Sequence, residues 1–214
     1  MIDVDAAARA VLRSNIYATL ALAFSTPKGN AEVLYEAIKE EHAIITQTGK
    51  GSDKDSNKEQ LSLDALKREH LRLFVGPGHV QCPPYESVYR RDRPEMERGL
   101  LMGATVADVR RRYGEANLKL STSFTDLPDH IAIEMEFMHF LCAEESRLAK
   151  QGDARELETN RKMQREFLSR HLKPWVEIFS DCVRHSTESP FYQAAANLVK
   201  VFLEGEFEDL PEEK

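Results

Sequence analysis

No apolar run in this chain approaches the roughly 20 residues that a bilayer-spanning helix needs, so stable membrane insertion is not expected. The amino end carries Asp3 and Asp5 where a secretory leader would carry lysine or arginine, which points to a cytoplasmic protein. A basic surplus is missing too. Lys and Arg number 29 against 36 Asp and Glu, and the net charge of −7 argues against general nucleic-acid binding and toward a positively charged partner. Cysteine is scarce: Cys82, Cys142 and Cys182 are odd in number and far apart, so neither a disulfide framework nor a zinc knuckle is expected, and a reducing cytoplasm suits them. The chain has no Gly-x-x-x-x-Gly-Lys-Ser/Thr loop, and Ser87 sits in no Gly-x-Ser-x-Gly elbow, which removes the usual signatures of P-loop nucleotide binding and serine hydrolysis. What remains, 42% hydrophobic and 30% charged over 214 residues, is an ordinary globular composition that fits one domain.

The pattern that is present is helical almost throughout. Val11, Leu12, Ile16, Leu20 and Phe24 recur at helical spacing from Asp5 and stop at Ser25-Thr26-Pro27, which predicts a core-facing first helix. Asn30 is a good cap for a second, carrying Val33, Leu34, Ala37, Ile38, Ile44 and Ile45. From Thr46 to Gln60 nothing is apolar, which predicts a flexible hydrophilic linker. Leu63, Leu66, Leu73 and Phe74 mark a third helix; Val106, Val109 and Tyr113 mark a fourth that ends at Gly114, with Arg110, Arg111 and Arg112 on its flank. Asp126-Leu127-Pro128-Asp129 reads as the capped start of the next helix, which runs through Ile131, Met135, Met138, Leu141 and Cys142 to Gly152. Asp153 and Glu156 form a capping box for a helix reaching Leu172. Pro174 restarts the chain into a short helix from Trp175 to Val183, and Ser189-Pro190 caps the last, which Gly205 ends. Glu206, Glu208, Asp209, Glu212 and Glu213 then read as a solvated, frayed acidic tail over 206–214. No segment reads as a strand. The expectation is an all-α, single-domain helical bundle over residues 1–214, with the linker at 46–60 as a hinge that leaves open a helix-swapped homodimer.

One stretch does not continue the helical pattern. Between Phe74 and Tyr89, Pro83 and Pro84 fix φ, lack N–H groups and push their predecessors toward extended backbone, so a stiff strap should hold Tyr85, Glu86, Ser87 and Tyr89 at fixed spacing. The plainer alternative is a connector whose aromatics only cover the core. On the following helix Glu136 and His139 have the Glu-x-x-His spacing of carboxylate-bridged di-iron bundles. Such a centre needs that motif twice and one copy is found, so a metalloenzyme is the alternative reading. His130 and Glu134 lie one turn apart beside Asp129, an arrangement suited to recognising a cation. The arginines at 90, 91, 93, 98, 110, 111 and 112 offer charge for phosphates, although flanking acids favour a solvated surface.

In their order and spacing these residues resemble the TorD/DmsD family of redox-enzyme maturation chaperones. The markers are Arg13-x-x-x-Tyr17-x-x-Leu20-x-x-x-Phe24, then Leu73-Phe74-Val75-Gly76-Pro77 and Pro83-Pro84-Tyr85-Glu86-Ser87-Val88-Tyr89, then the run from Asp129 to Met138, and finally His171-Leu172-x-Pro174-Trp175 with Phe191-Tyr192. Tyr85 stands where some relatives carry tryptophan, and the insert from Thr46 to Gln60 is long. The resemblance implies an all-helical, non-catalytic cytoplasmic chaperone. It would hold the twin-arginine signal peptide, and part of the body, of a molybdoenzyme catalytic subunit while the molybdopterin cofactor is installed. It implies no resident cofactor or metal; a second mechanism in the same family is transient contact of the arginine-rich flank with molybdopterin guanine dinucleotide or GTP. Two guanidinium groups followed by an apolar segment call for carboxylates beside an exposed apolar groove. Glu86, Asp129 and Glu134 are the expected acids, oriented by His130, and Leu73, Phe74, Pro84, Tyr85 and Tyr89 the expected apolar path, with Ser87 between them.

Overall fold

The computed structural model describes residues 4–47, 61–78, 80–92, 101, 103–121 and 126–208, and every extended regular element among them is a helix. In chain order these are α1 (Val4–Phe24), α2 (Ala31–Thr46), α3 (Leu63–His70), α4 (Glu86–Tyr89), α5 (Ala104–Glu115), α6 (Ile131–Gln151), α7 (Ala154–Phe167), α8 (Val176–Ser186) and α9 (Pro190–Glu208). Single π-helical turns, Leu71–Val75 and Leu168–Leu172, extend α3 and α7. The all-α expectation is met. No helix among the described residues is long and apolar enough to cross a membrane.

Local side-chain caps mark four of the nine described helix starts. The Asn30 side chain accepts from the amides of Glu32 and Val33, Ser62 from that of Ala65, and Asp153 from that of Glu156, so each supplies a partner to a first-turn donor that the helix itself leaves unpaired. The start of α6 differs from expectation: its cap is His130, whose Nδ1 accepts from the Ala132 amide at 3.1 Å. Asp129 is taken up elsewhere, its carboxylate accepting from the Ser87 amide at the start of α4. Gly76 closes the first π-helical turn at φ 96°, a left-handed conformation open to glycine, with its amide donating to Leu71 O at 2.8 Å.

Helix α1 packs along α6, and α9 packs against α2 and α8. The buried stripe of α1 is Ile16, Tyr17, Leu20 and Phe24, whereas Val11 and Leu12, expected in the core, are 40% and 41% exposed.

Two expectations are corrected. Gly205 does not end the last helix, and Glu206 is no part of a frayed tail: α9 continues to Glu208 and Glu206 is buried. Arg13 donates from Nε and Nη2 to the two Glu206 carboxylate oxygens, each at 2.6 Å, and the Tyr17 hydroxyl donates to the same group at 2.8 Å. Arg13 also reaches Glu145, which takes Arg161 and Gln164 as well, so one polar network ties α1, α6, α7 and α9. Second, Cys82 and Cys182 form a disulfide, with Cα atoms 5.9 Å apart. The pairing was hidden because the two positions are 100 residues apart and only the fold juxtaposes the strap with α8. The predicted linker beyond Gln47 and the tail beyond Glu208 lie outside the described residues.

Candidate peptide-binding groove

The strap does form. From Pro84 it runs against the start of α6: Ile131 N donates to Pro84 O at 2.9 Å, Glu86 N donates to Asp129 O at 3.0 Å, and Tyr85 makes an isolated antiparallel bridge with His130. These bonds use backbone groups that two prolines and a helix start would otherwise leave unpaired.

Beside this junction lies a groove of about 1180 Å³ between α1, α2, α3 and α6. Its lining includes Phe74, Pro84 and His130, all buried, the half-buried Tyr85, and the exposed Leu22 of α1 and Val33 of α2. Leu22, Val33, Val75 and Phe140 are 61%, 64%, 57% and 36% exposed, so four large apolar side chains of one concavity face water. Apolar surface gathered in one place is the mark of an interaction site. Asp126 and Glu136 add exposed carboxylates to the rim, and Lys28 and Lys119 exposed ammonium groups. Asp126 is held at the strap end by the Tyr85 hydroxyl, which donates to it at 2.7 Å.

Of the expected site residues, the structure brings Phe74, Pro84, Tyr85 and His130 to the groove. Leu73, Glu86, Ser87, Asp129 and Glu134 are buried behind its wall, and Tyr89, half-buried, stacks on Trp175 at 5.6 Å between ring centres. The three acids therefore differ from the exposed rim charges expected of them: Glu86, Asp129 and Glu134 each have 0% exposure. Glu86 pairs with Arg90 on one oxygen and with His171 Nδ1 at 3.0 Å on the other. Arg90 in turn donates to Arg170 O at 2.6 Å. Glu134 accepts from Trp175 Nε1 at 3.3 Å, and burial, reinforced by Glu86 and Asp129, pushes its carboxyl well above the usual range. Burial also raises Asp129, with the Ser87 amide opposing. Three carboxyls in this space cannot all ionise cheaply, and burial beside Glu86 and Asp129 favours the neutral form at Glu134. The cluster braces the strap from behind.

Two histidines line the groove. His130, buried, meets Tyr85 edge-on at 5.4 Å and is lowered to about 4 by desolvation; since its Nδ1 accepts the capping bond, its proton resides on Nε2. His70, also buried, lies 5.2 Å from Phe74 and is likewise lowered to about 4, by burial and then by His130.

Glu136 and His139 do not converge. Glu136 faces the groove, while His139 Nδ1 is 2.9 Å from both the hydroxyl and the carbonyl oxygen of Ser14 on α1. Among the described residues no group of three or more His, Cys, Asp and Glu could hold a metal ion. On the arginine flank, Arg111 pairs with Asp108 and Glu115, and Arg112 with Glu115 and Glu166; positions 93 and 98 lie outside the described residues. Leu22 and Val33 were missed as site residues. Leu22 had a readable signal, an apolar residue on the opposite side of α1 from the Leu20 and Phe24 stripe.

Comparison with known proteins meets this geometry with a family. A selenate reductase assembly chaperone from Thauera selenatis is 32% identical over 121 residues, covering 56% of this chain and 58% of that protein. The chaperone protein TorD of Vibrio cholerae is 25% identical over 148 residues, covering 69% and 63%. A chlorate reductase assembly chaperone from Ideonella dechloratans is 31% identical over 140 residues, covering 64% and 67%. The match thus spans less than two thirds of the length of the first two relatives. A solved redox enzyme maturation protein from Archaeoglobus fulgidus shares the fold, with a TM-score of 0.52 at 21% identity over 90% of this chain and 93% of that one. The model of the nitrate reductase delta subunit family matches residues 31–181, which holds the strap, the groove's α6 wall and the buried acids. The chain belongs to that family, the one to which its resemblance to the TorD/DmsD chaperones points.

Proposed function

We propose that this protein is a non-catalytic cytoplasmic assembly chaperone for a molybdopterin oxidoreductase, and that its groove holds the client's twin-arginine leader. The observation that carries this reading is the coincidence of four exposed apolar side chains, Leu22, Val33, Val75 and Phe140, with the exposed carboxylates of Asp126 and Glu136 at one concavity. An arginine-bearing, moderately apolar peptide would lay its greasy segment against the exposed Leu22, Val33, Val75 and Phe140 and the half-buried Tyr85, which Phe74 and Pro84 support from beneath. Its guanidinium groups would meet Asp126 and Glu136. In this reading Glu86, Asp129 and Glu134 act through the strap: they fix Tyr85 and His130 in place, and Leu73, Ser87 and Tyr89 complete that support.

Rim charge pairs contribute roughly 0.2 to 1 kcal/mol each when exposed, whereas a desolvated aromatic anchor contributes about 2 kcal/mol or more. The test is calorimetric titration of a synthetic leader carrying two arginines and an apolar segment. Tyr85→Ala should weaken it at least tenfold and Asp126→Asn only a few-fold, the latter effect vanishing in high salt. A leader in which both arginines are replaced by glutamine should bind more weakly than the native one. Equal binding of both leaders, or an unchanged affinity for Tyr85→Ala, would remove the groove from the mechanism.

A further inference from the structure

We propose that Cys82 and Cys182 form a thiol–disulfide exchange site through which glutathione disulfide or a small dithiol sets how firmly the strap is fastened to α8. The site is built asymmetrically. Cys82 is wholly buried, whereas Cys182 is only partly buried on α8, so an incoming thiolate reaches the Cys182 sulfur. On reduction that thiolate attacks Cys182 Sγ, the S–S bond breaks, and Cys82 leaves as a thiolate. Ser186 Oγ lies 3.5 Å from Cys82 Sγ, placed to donate to the departing charge before solvent supplies the proton. The dithiol's second sulfur then attacks the mixed disulfide at its own first sulfur and releases Cys182 as a thiolate, which also protonates. Two electrons have passed from the dithiol to the protein and the dithiol has become a cyclic disulfide. Oxidation by glutathione disulfide runs the reverse way and yields two glutathione molecules.

The bond is placed to matter. Pro84 and Tyr85, two and three residues beyond Cys82, are groove wall. Phe179, on α8 one turn before Cys182, packs on Phe74 at 6.0 Å and on Tyr89 at 6.1 Å. The covalent link therefore fastens the wall to the helix behind it at the point where the strap leaves Leu73, whose carbonyl accepts from Cys82 N at 2.8 Å. The third cysteine, Cys142, is buried on α6 with its thiol pushed up to about 12, and provides an internal control.

The experiment equilibrates the whole protein in glutathione buffers of graded potential, traps free thiols with a maleimide and reads intact and peptide masses. With the trap applied in denaturant, Cys82 and Cys182 should lose their maleimide label together in a single two-electron step while Cys142 is labelled in every buffer. Amide hydrogen exchange over residues 81–90 should be several-fold slower in the oxidised protein than in the reduced one, and Cys82→Val/Cys182→Ala should match the reduced protein. Independent alkylation of the two cysteines in every buffer, or a glutathione adduct on Cys182 that persists in the most oxidising buffers without closing to the Cys82–Cys182 bond, would overturn the pairing. Identical exchange over 81–90 in the two forms would overturn its hold on the strap. No leader peptide enters either measurement, so the outcome is separate from that of the chaperone reading.

Discussion

Replacing Glu206 with alanine probes the point where the chain's two distant helices are clasped. Glu206 is 9% exposed and fills both oxygens with the Arg13 fork and the Tyr17 hydroxyl. Breaking a mostly buried pair from one side costs about 3 to 5 kcal/mol, and Arg13 falls at the low end because it keeps Glu145 and is 25% exposed. The Tyr17 hydroxyl, left without its acceptor in a residue with no solvent exposure, adds about 1 kcal/mol. These terms share one network and do not simply add, so the expected loss is about 3 to 4 kcal/mol. For 214 residues the unfolding entropy is about 0.45 kcal/mol/K, so Tm should fall by roughly 7 to 9 °C. Urea denaturation should show a lower midpoint with the slope unchanged. Glu208→Ala, two residues on and exposed, should stay within about 0.5 kcal/mol of wild type. If Glu206→Ala behaves like Glu208→Ala, the clasp contributes nothing and α9 ends, in energetic terms, at Gly205.

Burial lowers His70 and His130 to about 4 in the folded protein, while the unfolded chain takes its proton near 6.5. Each therefore contributes stability that is complete above about pH 6.5 and lost as pH falls toward 4, at most about 3 kcal/mol apiece. Asp129 and Glu134, both raised, pull the other way in that range, so the diagnostic is the difference that His70→Gln makes. Chemical denaturation at pH 7.5 and 4.5 should find a smaller loss in the variant than in wild type; equal losses would refute the assignment. Gly76→Ala should cost about 1 to 2 kcal/mol by thermal melt, since φ is 96° there and the added carbon would sit 3.3 Å from Gly78 N. Leu22→Ser with Val33→Ser should leave Tm nearly unchanged yet weaken leader binding at least tenfold, and a large drop in Tm would mean those side chains support the fold instead.

The helices were legible because each rests on local signals. Asn30, Asp153 and the period of Leu20 and Phe24 report on their own neighbourhoods, and the structure uses them as read. What failed was long-range. Asp129 looks like a cap in sequence, but the strap brings the Ser87 amide to it first, and His130 takes the capping role. Gly205 looks like a stop, but Arg13 and Tyr17, nearly two hundred residues earlier, stabilise the turn that follows. Of the site, the aromatic and proline residues of the strap were identifiable from their stiffness. Leu22 and Val33 were not, because they gain meaning only where the fold gathers them into one concavity with Tyr85.

The junction of strap and α6 has a mechanical consequence. Two main-chain bonds, Ile131 to Pro84 and Glu86 to Asp129, lock that bank to the start of α6, at 21 residues as long as α1 and longer than any other described helix, with the acid cluster wedged behind it. A bank anchored in this way is an anvil. Any adjustment of the groove's shape therefore falls to side chains such as Leu22 and Val33, which are 61% and 64% exposed and can change rotamer without moving their helices.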